Sequence, residues 1–285
     1  IISWNAMLLA FVDQCQGEKG LRLYRQMLEE SKEPDSRTLM SILQALGGHI
    51  ADMEKPMEKA SDKDREFLNE RDLEIGQALH AYAKRKGLLY DVFVGNALVS
   101  MYGKCGSFQD AERVFHRLSD QTVVSWTALV SSFAQSGHGA DALAYLHQMM
   151  LEGIIPDSIV LTSVLSACSH SGLIDEAKCI LCETMNGDCV SQTMDHFFCM
   201  VDILARPGQL DEAETLLWKI PFQNLTLPWL SLLGACRNHG DVERGIYAAT
   251  CCFEQDPHHS SAYTMLGNVF ATDTMFENEE IRLFF

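Results

Sequence analysis

VVSWTALVSSFAQSGHGADALAYLHQMMLEGIIPD, residues 123–157, is nearly a second copy of residues 1–35, IISWNAMLLAFVDQCQGEKGLRLYRQMLEESKEPD. The two align without a gap. They share Ser-Trp, Ala, Phe, Gly, Leu, Gln-Met, Glu and Pro-Asp at the same offsets. Within 123–157 the apolar residues Val124, Leu129, Val130 and Phe133 follow a helical period, and a Ser-Gly-His-Gly break covers 136–139. A second periodic run, Ala142, Leu143, Leu146, Met149 and Met150, ends at Gly153 and Pro156. The unit reads as helix, tight turn, helix, connector. One such hairpin cannot bury its apolar face alone, so several must stack.

The rest of the chain fits variants of this unit. Residues 92–122 form a 31-residue version with its turn at Lys104–Ser107, residues 158–193 a 36-residue version, and residues 194–224 another short one. Pro207 falls in the turn of the last, where a missing amide does little harm. Residues 36–91 form a 56-residue unit whose halves, RTLMSILQAL and LEIGQALHAYAKRKGLLYD, flank a charged stretch. That stretch reads as an insertion of about 20 residues, spanning about 47–72, in the inter-helix turn. It is expected to be an exposed loop, helical in part. From 225 the pattern shifts to one more hairpin and the opening of another. There Tyr263, Leu266, Gly267 and Phe270 resemble the first helix of a tetratricopeptide repeat. The fold expected is therefore all-α, a right-handed α-solenoid of helix-turn-helix repeats, with 1–224 as six repeats and 225–285 as a truncated C-terminal region.

Composition narrows the classes of function. The chain is 47% hydrophobic and 21% charged, and no apolar run reaches the roughly 18 residues that span a bilayer. No membrane partner is expected, and nothing reads as a signal or transit peptide. The chain opens on the first position of a repeat, without Met, and reads as a fragment. Among ten cysteines, Cys105, Cys168 and Cys236 sit in small apolar helical stretches, where Cys acts as a compact hydrophobe. Cys179 and Cys182 form a lone C-x-x-C without a second pair, so no metal site is expected. The net charge of −17 opposes indiscriminate phosphate binding, because the counterion term needs Lys and Arg.

The alternating unit lengths resemble the plant PLS-class pentatricopeptide repeat proteins with C-terminal E-type motifs. So do SWNAM, SWTALV, GNALVSMYGKCGS, TSVLSACSHSGLIDEA and the 200–220 stretch with GQLDEAE and IP. Tetratricopeptide repeats would want Gly at the eighth position, which here holds Leu8 and Val130. The resemblance implies sequence-specific binding of single-stranded RNA in a mitochondrion or chloroplast, commonly to direct C-to-U editing. In that family the fifth and last residues of a repeat together address one base, as in other one-base-per-repeat codes. Carried over, Asn5 with Asp35 is the family's pair for uridine and Thr127 with Asp157 its pair for guanosine. Asn96 with Thr122 leaves a pyrimidine, while Thr162 with Thr193, Phe198 with Asn224, and Met40 with Asp91 give no readable base. Ile2, Val124 and Ile159 occupy second positions, where the family sandwiches bases between apolar side chains.

Plainer readings stand beside these. Asp35 and Asp157 follow Pro and precede a helix, which suits N-capping. Asn5 and Thr127 could be solvent-facing helix residues, and Ile2, Val124 and Ile159 core positions. Trp4 and Trp126 read as core, and His258-His259 as a loop pair. No H-x-E of a zinc deaminase, Gly-rich phosphate loop, G-x-S-x-G or H-E-x-x-H occurs. The chain is expected to be no enzyme and to need no cofactor, any editing deaminase being a separate partner met through the E-type region. The alternative is a tetratricopeptide-like protein-interaction scaffold without RNA binding. Basic residues along the inner helices would separate the two.

Overall fold

The computed structural model describes residues 1–14, 16–52, 62–186, 193–220 and 225–272. Among them the regular structure is helical, and the chain divides into two compact units, Ile1–Pro156 and Asp157–Phe285.

The first unit holds α1 (Ile2–Asp13), α2 (Gly17–Glu29), α3 (Ser36–Asp52), α4 (Asp62–Lys86), a 3-10 turn at Leu88–Tyr90, α5 (Val92–Lys104), α6 (Phe108–Phe115), α7 (Val123–Gln135) and α8 (Gly139–Leu151). The odd-numbered helices pack successively on one another, α1 on α3, α3 on α5 and α5 on α7. Each even-numbered helix packs on its own partner, and α2, α4 and α6 also touch the next odd-numbered helix. The result is two layers. Sequence spacing sets it: Leu39, Ile42, Leu43 and Leu46 on α3 recur at three- and four-residue steps and are all buried. Fully burying a side chain of this size is worth about 1.5–3 kcal/mol. Phe115 of α6 meets Trp126 of α7 edge-on at 4.7 Å, so even a short second helix anchors the next repeat. Gly106 and Gly137 take left-handed conformations (φ 75° and 80°) that let the hairpins turn tightly.

The second unit repeats the arrangement with α9 (Ser158–Ser171), α10 (Ile174–Asn186), α11 (Met194–Ala205), α12 (Leu210–Lys219), α13 (Thr226–His239), α14 (Val242–Gln255) and α15 (Ser260–Thr272). Here α9, α11, α13 and α15 form the successive row. One core joins Phe197, Leu204, Leu217, Trp229, Leu233 and Phe270. The all-α, stacked-hairpin fold class is thus as the periodicity predicts.

Two sequence-based readings change in part. The inserted stretch 47–72 is helical in part, as expected, since α3 runs on to Asp52 and α4 starts at Asp62, but it is not exposed throughout. Its last residue is buried, since Asp72 is 1% exposed. Arg71 explains that end, reaching Glu18 of α2 at 3.1 Å and Asp72 at 3.2 Å. Residues 53–61 lie outside the described residues. Secondly, Ile2, Val124 and Ile159 are not core: they are 86%, 61% and 61% exposed. Each stands in the first turn of its helix, on the side away from the neighbours. Trp126 is fully buried, as read, and Trp4 is half-buried. Cys168 and Cys236 are fully buried thiols, while Cys105 is half-buried and pushed up to about 12, chiefly by burial.

Candidate functional site

The connectors place a polar residue immediately before α3, α5, α7, α9 and α11, namely Asp35, Asp91, Thr122, Asp157 and Thr193, and the fifth residue of each repeat in 1–224 lies one turn inside its helix. At the first pair the two meet. The Asn5 amide Nδ2 donates to both carboxylate oxygens of Asp35, at 3.0 and 3.1 Å. The Thr38 amide donates to Asp35 Oδ1 at 2.9 Å, so Asp35 also caps α3. The buried Thr38 hydroxyl lies 2.7 Å from Asn5 Oδ1 and 2.9 Å from Asp35 Oδ1, with one proton to share between them. These neighbours fix which way the Asn5 amide faces, because Asp35 needs a donor there and Thr38 supplies one. Burial opposes the charge on Asp35, but the bonds from the Thr38 amide, the Thr38 hydroxyl and Asn5 outweigh it. They hold the carboxyl below its ordinary range.

Thr38 escaped the sequence reading. Its signal was present: Asp35-x-x-Thr38 is the spacing at which an N-cap and the third helical residue bond reciprocally. The capping and base-reading interpretations of Asp35 are therefore not exclusive, since one carboxylate makes both sets of contacts.

Asp157 caps α9 through the Val160 amide at 2.8 Å. The Thr127 hydroxyl donates to the Val123 carbonyl at 2.7 Å. Asn96 is 8% exposed and its Oδ1 lacks a hydrogen-bond partner, whereas Thr122 caps α7 reciprocally with Ser125. No hydrogen bond joins Asn96 to Thr122. Thr162 donates to the Ser158 carbonyl at 2.8 Å. The same carbonyl meets Nε2 of buried His196 at 3.2 Å, while the Thr193 amide donates to His196 Nδ1 at 3.3 Å. His196 thus links the connector before α11 to α9. Phe198 is 36% exposed, Asp91 caps α5 through the Phe93 amide at 3.0 Å, and Asn224 lies outside the described residues.

The exposed second positions include one residue the sequence reading passed over. Phe93 of α5 is 67% exposed and holds the same register as Ile2, Val124 and Ile159. Each of these apolar side chains stands exposed at the same register of its own helix, α1, α5, α7 and α9, while Arg37 holds that register in α3.

Charge is distributed unevenly between the layers. On the odd-numbered helices the acidic residues are only Asp13, Asp52, Asp195 and Asp202, of 39 in the chain. Helices α5, α7, α9, α13 and α15 carry none. Lys104, His170 and Arg237 stand in the last turns of α5, α9 and α13, and Arg206 directly follows α11, all at the thirteenth position of their units. Asp13, Gly48 and Gln135 interrupt this register in α1, α3 and α7. Lys104 and Arg237, in their last turns, also complement the helix dipole. Burial pushes the Lys104 ammonium down, and Arg206 pairs with Asp202 at 2.7 Å.

Helical hairpins stacked in two layers within each unit are the architecture of a helical-repeat protein. The model of the PPR repeat matches residues 2–31, 96–121, 124–154 and 159–188, so this chain carries pentatricopeptide repeats. It is 35% identical over 280 residues to the chloroplastic pentatricopeptide repeat-containing protein CRR2 of Arabidopsis thaliana, covering 97% of this chain and 39% of that one. It is 33% identical over 279 residues to chloroplastic DOT4 of the same plant, covering 97% of this chain and 30% of that one. A mitochondrial Arabidopsis thaliana relative is 33% identical over 277 residues, 97% of this chain and 33% of that one. The chain thus spans about a third of the length of the curated relatives it matches. The crystal structure of the pentatricopeptide repeat protein PPR10 from maize superposes with a TM-score of 0.57 at 17% identity, covering 91% of this chain and 40% of that one. PPR10 has also been crystallised in complex with an 18-nt psaJ RNA element.

Among the described residues no helix is long and apolar enough to cross a membrane.

Proposed function

We propose that the chain binds single-stranded RNA sequence-specifically in a chloroplast or mitochondrion. It would act there as a specificity factor for C-to-U editing or related processing, with the deaminase supplied by a partner. The observation that carries this reading is the Asn5–Asp35–Thr38 cluster. Its three side chains hold one amide in a fixed orientation beside a half-exposed carboxylate, an arrangement suited to discriminating donors from acceptors on a base edge. The exposed apolar residues at the second positions offer faces for base stacking. The scarcity of acidic residues on the odd-numbered helices answers the objection raised by the net charge, which is borne mainly elsewhere. The organellar relatives and the RNA complex of PPR10 favour the same reading.

The test is selection from a randomised RNA pool with the 285-residue chain, followed by the same selection with Asn5→Thr. Enriched RNAs that share a uridine, replaced by another base in the variant, support the proposal. Enrichment unchanged by the substitution overturns the role given to Asn5.

A further inference from the structure

The outer surface of the second unit carries a feature that base reading does not use. Trp218 of α12 is 62% exposed and Tyr247 of α14 is 40% exposed. Both rest on the buried Trp229 of α13, and the three ring centroids lie 5.6, 5.9 and 6.2 Å apart. A tryptophan left mostly in water, backed by a second aromatic and a rigid third, is unlike the scattered apolar residues of an ordinary surface. It has the composition of an interface anchor.

The rim is acidic. Tyr247 borders an open depression of about 570 Å³ that Glu214, Asp241, Glu243, Arg244 and Thr250 also line. Arg244 is spent on Glu214 at 2.8 Å, Asp241 at 2.6 Å and Asp211. One guanidinium thus faces three carboxylates, and Glu243 adds a fourth. The surplus of negative charge beside exposed ring faces selects the sign of what docks there. A nucleic acid could stack on the rings but would bring phosphates against the carboxylates. A cationic side chain is favoured by both, through cation–π attraction and ion pairing.

We propose that the Trp218–Tyr247 face is a docking site for a basic, arginine- or lysine-bearing segment of a protein partner. The cation lies over the exposed rings, with its aliphatic stem on the Trp218 edge and its charge toward Glu243 and Glu214. This site is independent of the RNA-reading surface proposed above, because α12 and α14 belong to the other layer of the stack.

Fluorescence polarisation with the 285-residue chain tests it, using a fluorescein-labelled peptide Gly-Arg-Leu-Arg-Leu-Arg-Gly and a counterpart with Glu in place of each Arg. The expected result is binding of the Arg peptide alone, weakened at least fivefold by Glu243→Lys and at least tenfold by Trp218→Ala, with no displacement by a uridine decamer. Glu243 is exposed, so its substitution preserves the fold and keeps the test valid even if Trp218→Ala unfolds the unit. Equal binding of the Glu peptide, unchanged affinity in Glu243→Lys, or displacement by the uridine decamer would each overturn the proposal.

Discussion

Asp35 shows how one residue can cap a helix and, on the proposed function, also take part in recognition. Its carboxyl is held below the ordinary range in the folded chain, so its stabilising contribution is complete above the unfolded value. It fades as pH falls through the lower, folded value. Asp35→Asn keeps the shape but loses the charge. The melting-temperature gap between parent and variant should therefore be widest near neutral pH and close as pH drops below the usual carboxylate range; a gap independent of pH would mean the charge contributes nothing. Asn5→Ala removes one of the donors, so the Asp35 titration, followed by NMR, should move back up. Asn96 makes the opposite case. Its Oδ1 is buried without a partner, which costs about 1–3 kcal/mol. Asn96→Leu should raise stability by about 1 kcal/mol or more in chemical denaturation. If the proposed role holds, it should also weaken RNA binding. A variant both less stable and unchanged in binding would show that Asn96 is an ordinary packed residue.

At the scale of the element, sequence spacing was enough to show stacked helical hairpins, because most turns carry Gly or Pro and the apolar runs keep a helical period. Two things were not fully legible. That 47–72 is helical in part was expected, but which of its residues continue the helices could not be read from a charged stretch, since charged helices and charged loops share a composition. What decides it is tertiary: Arg71 reaching Glu18 on another hairpin. The direction of the first-turn residues was also hidden. Val124 fits the apolar period, yet the period says nothing of which residues face the next repeat. Deleting residues 47–72 as one block removes Arg71 and buried Asp72, so it should lower the melting temperature. Arg71→Ala should reproduce part of that loss, and a neutral deletion would return the stretch to a dispensable loop. Close approach of α5 and α7 gives a second test. A Cβ on Gly103 would fall inside the Ser132 side chain, close to its backbone, where little can yield. Gly103→Ala should cost about 1–3 kcal/mol in chemical denaturation, the usual range for overpacking. Gly76→Ala should cost less, because it meets the flexible end of Met101.

At the scale of the whole molecule the question is how a chain of net charge −17 could select an RNA. Repulsion acts over about a Debye length, roughly 8 Å at physiological salt, so the nearest charges matter more than the total. The odd-numbered helices keep acidic residues scarce, and Lys104, His170 and Arg237 recur at one register. Few phosphate contacts imply a shallow salt dependence and put more of the affinity into base contacts. Base identity should then matter strongly. On the pairing implied by the family resemblance, Asn5 with Asp35 takes uridine and Thr127 with Asp157 takes guanosine. Counting one base per repeat, the preferred RNA carries U and G three nucleotides apart, with U on the 5′ side. The residues inserted in the 36–91 unit add no repeat, so they leave that spacing unchanged. Thr127→Asn should turn the preference at the second position from guanosine to uridine. The wrong base there should cost on the order of 1–3 kcal/mol, on the mismatch scale of duplex recognition. Removing the Lys104 charge should instead weaken all RNAs alike and flatten the salt slope by about one. Competition binding with four RNAs differing at one nucleotide, at two salt concentrations, separates these outcomes. If Thr127→Asn leaves base preference untouched while RNA is still bound, one repeat does not read one base here. If no RNA binds even at low salt, the acidic charge prevails and the chain is a protein scaffold.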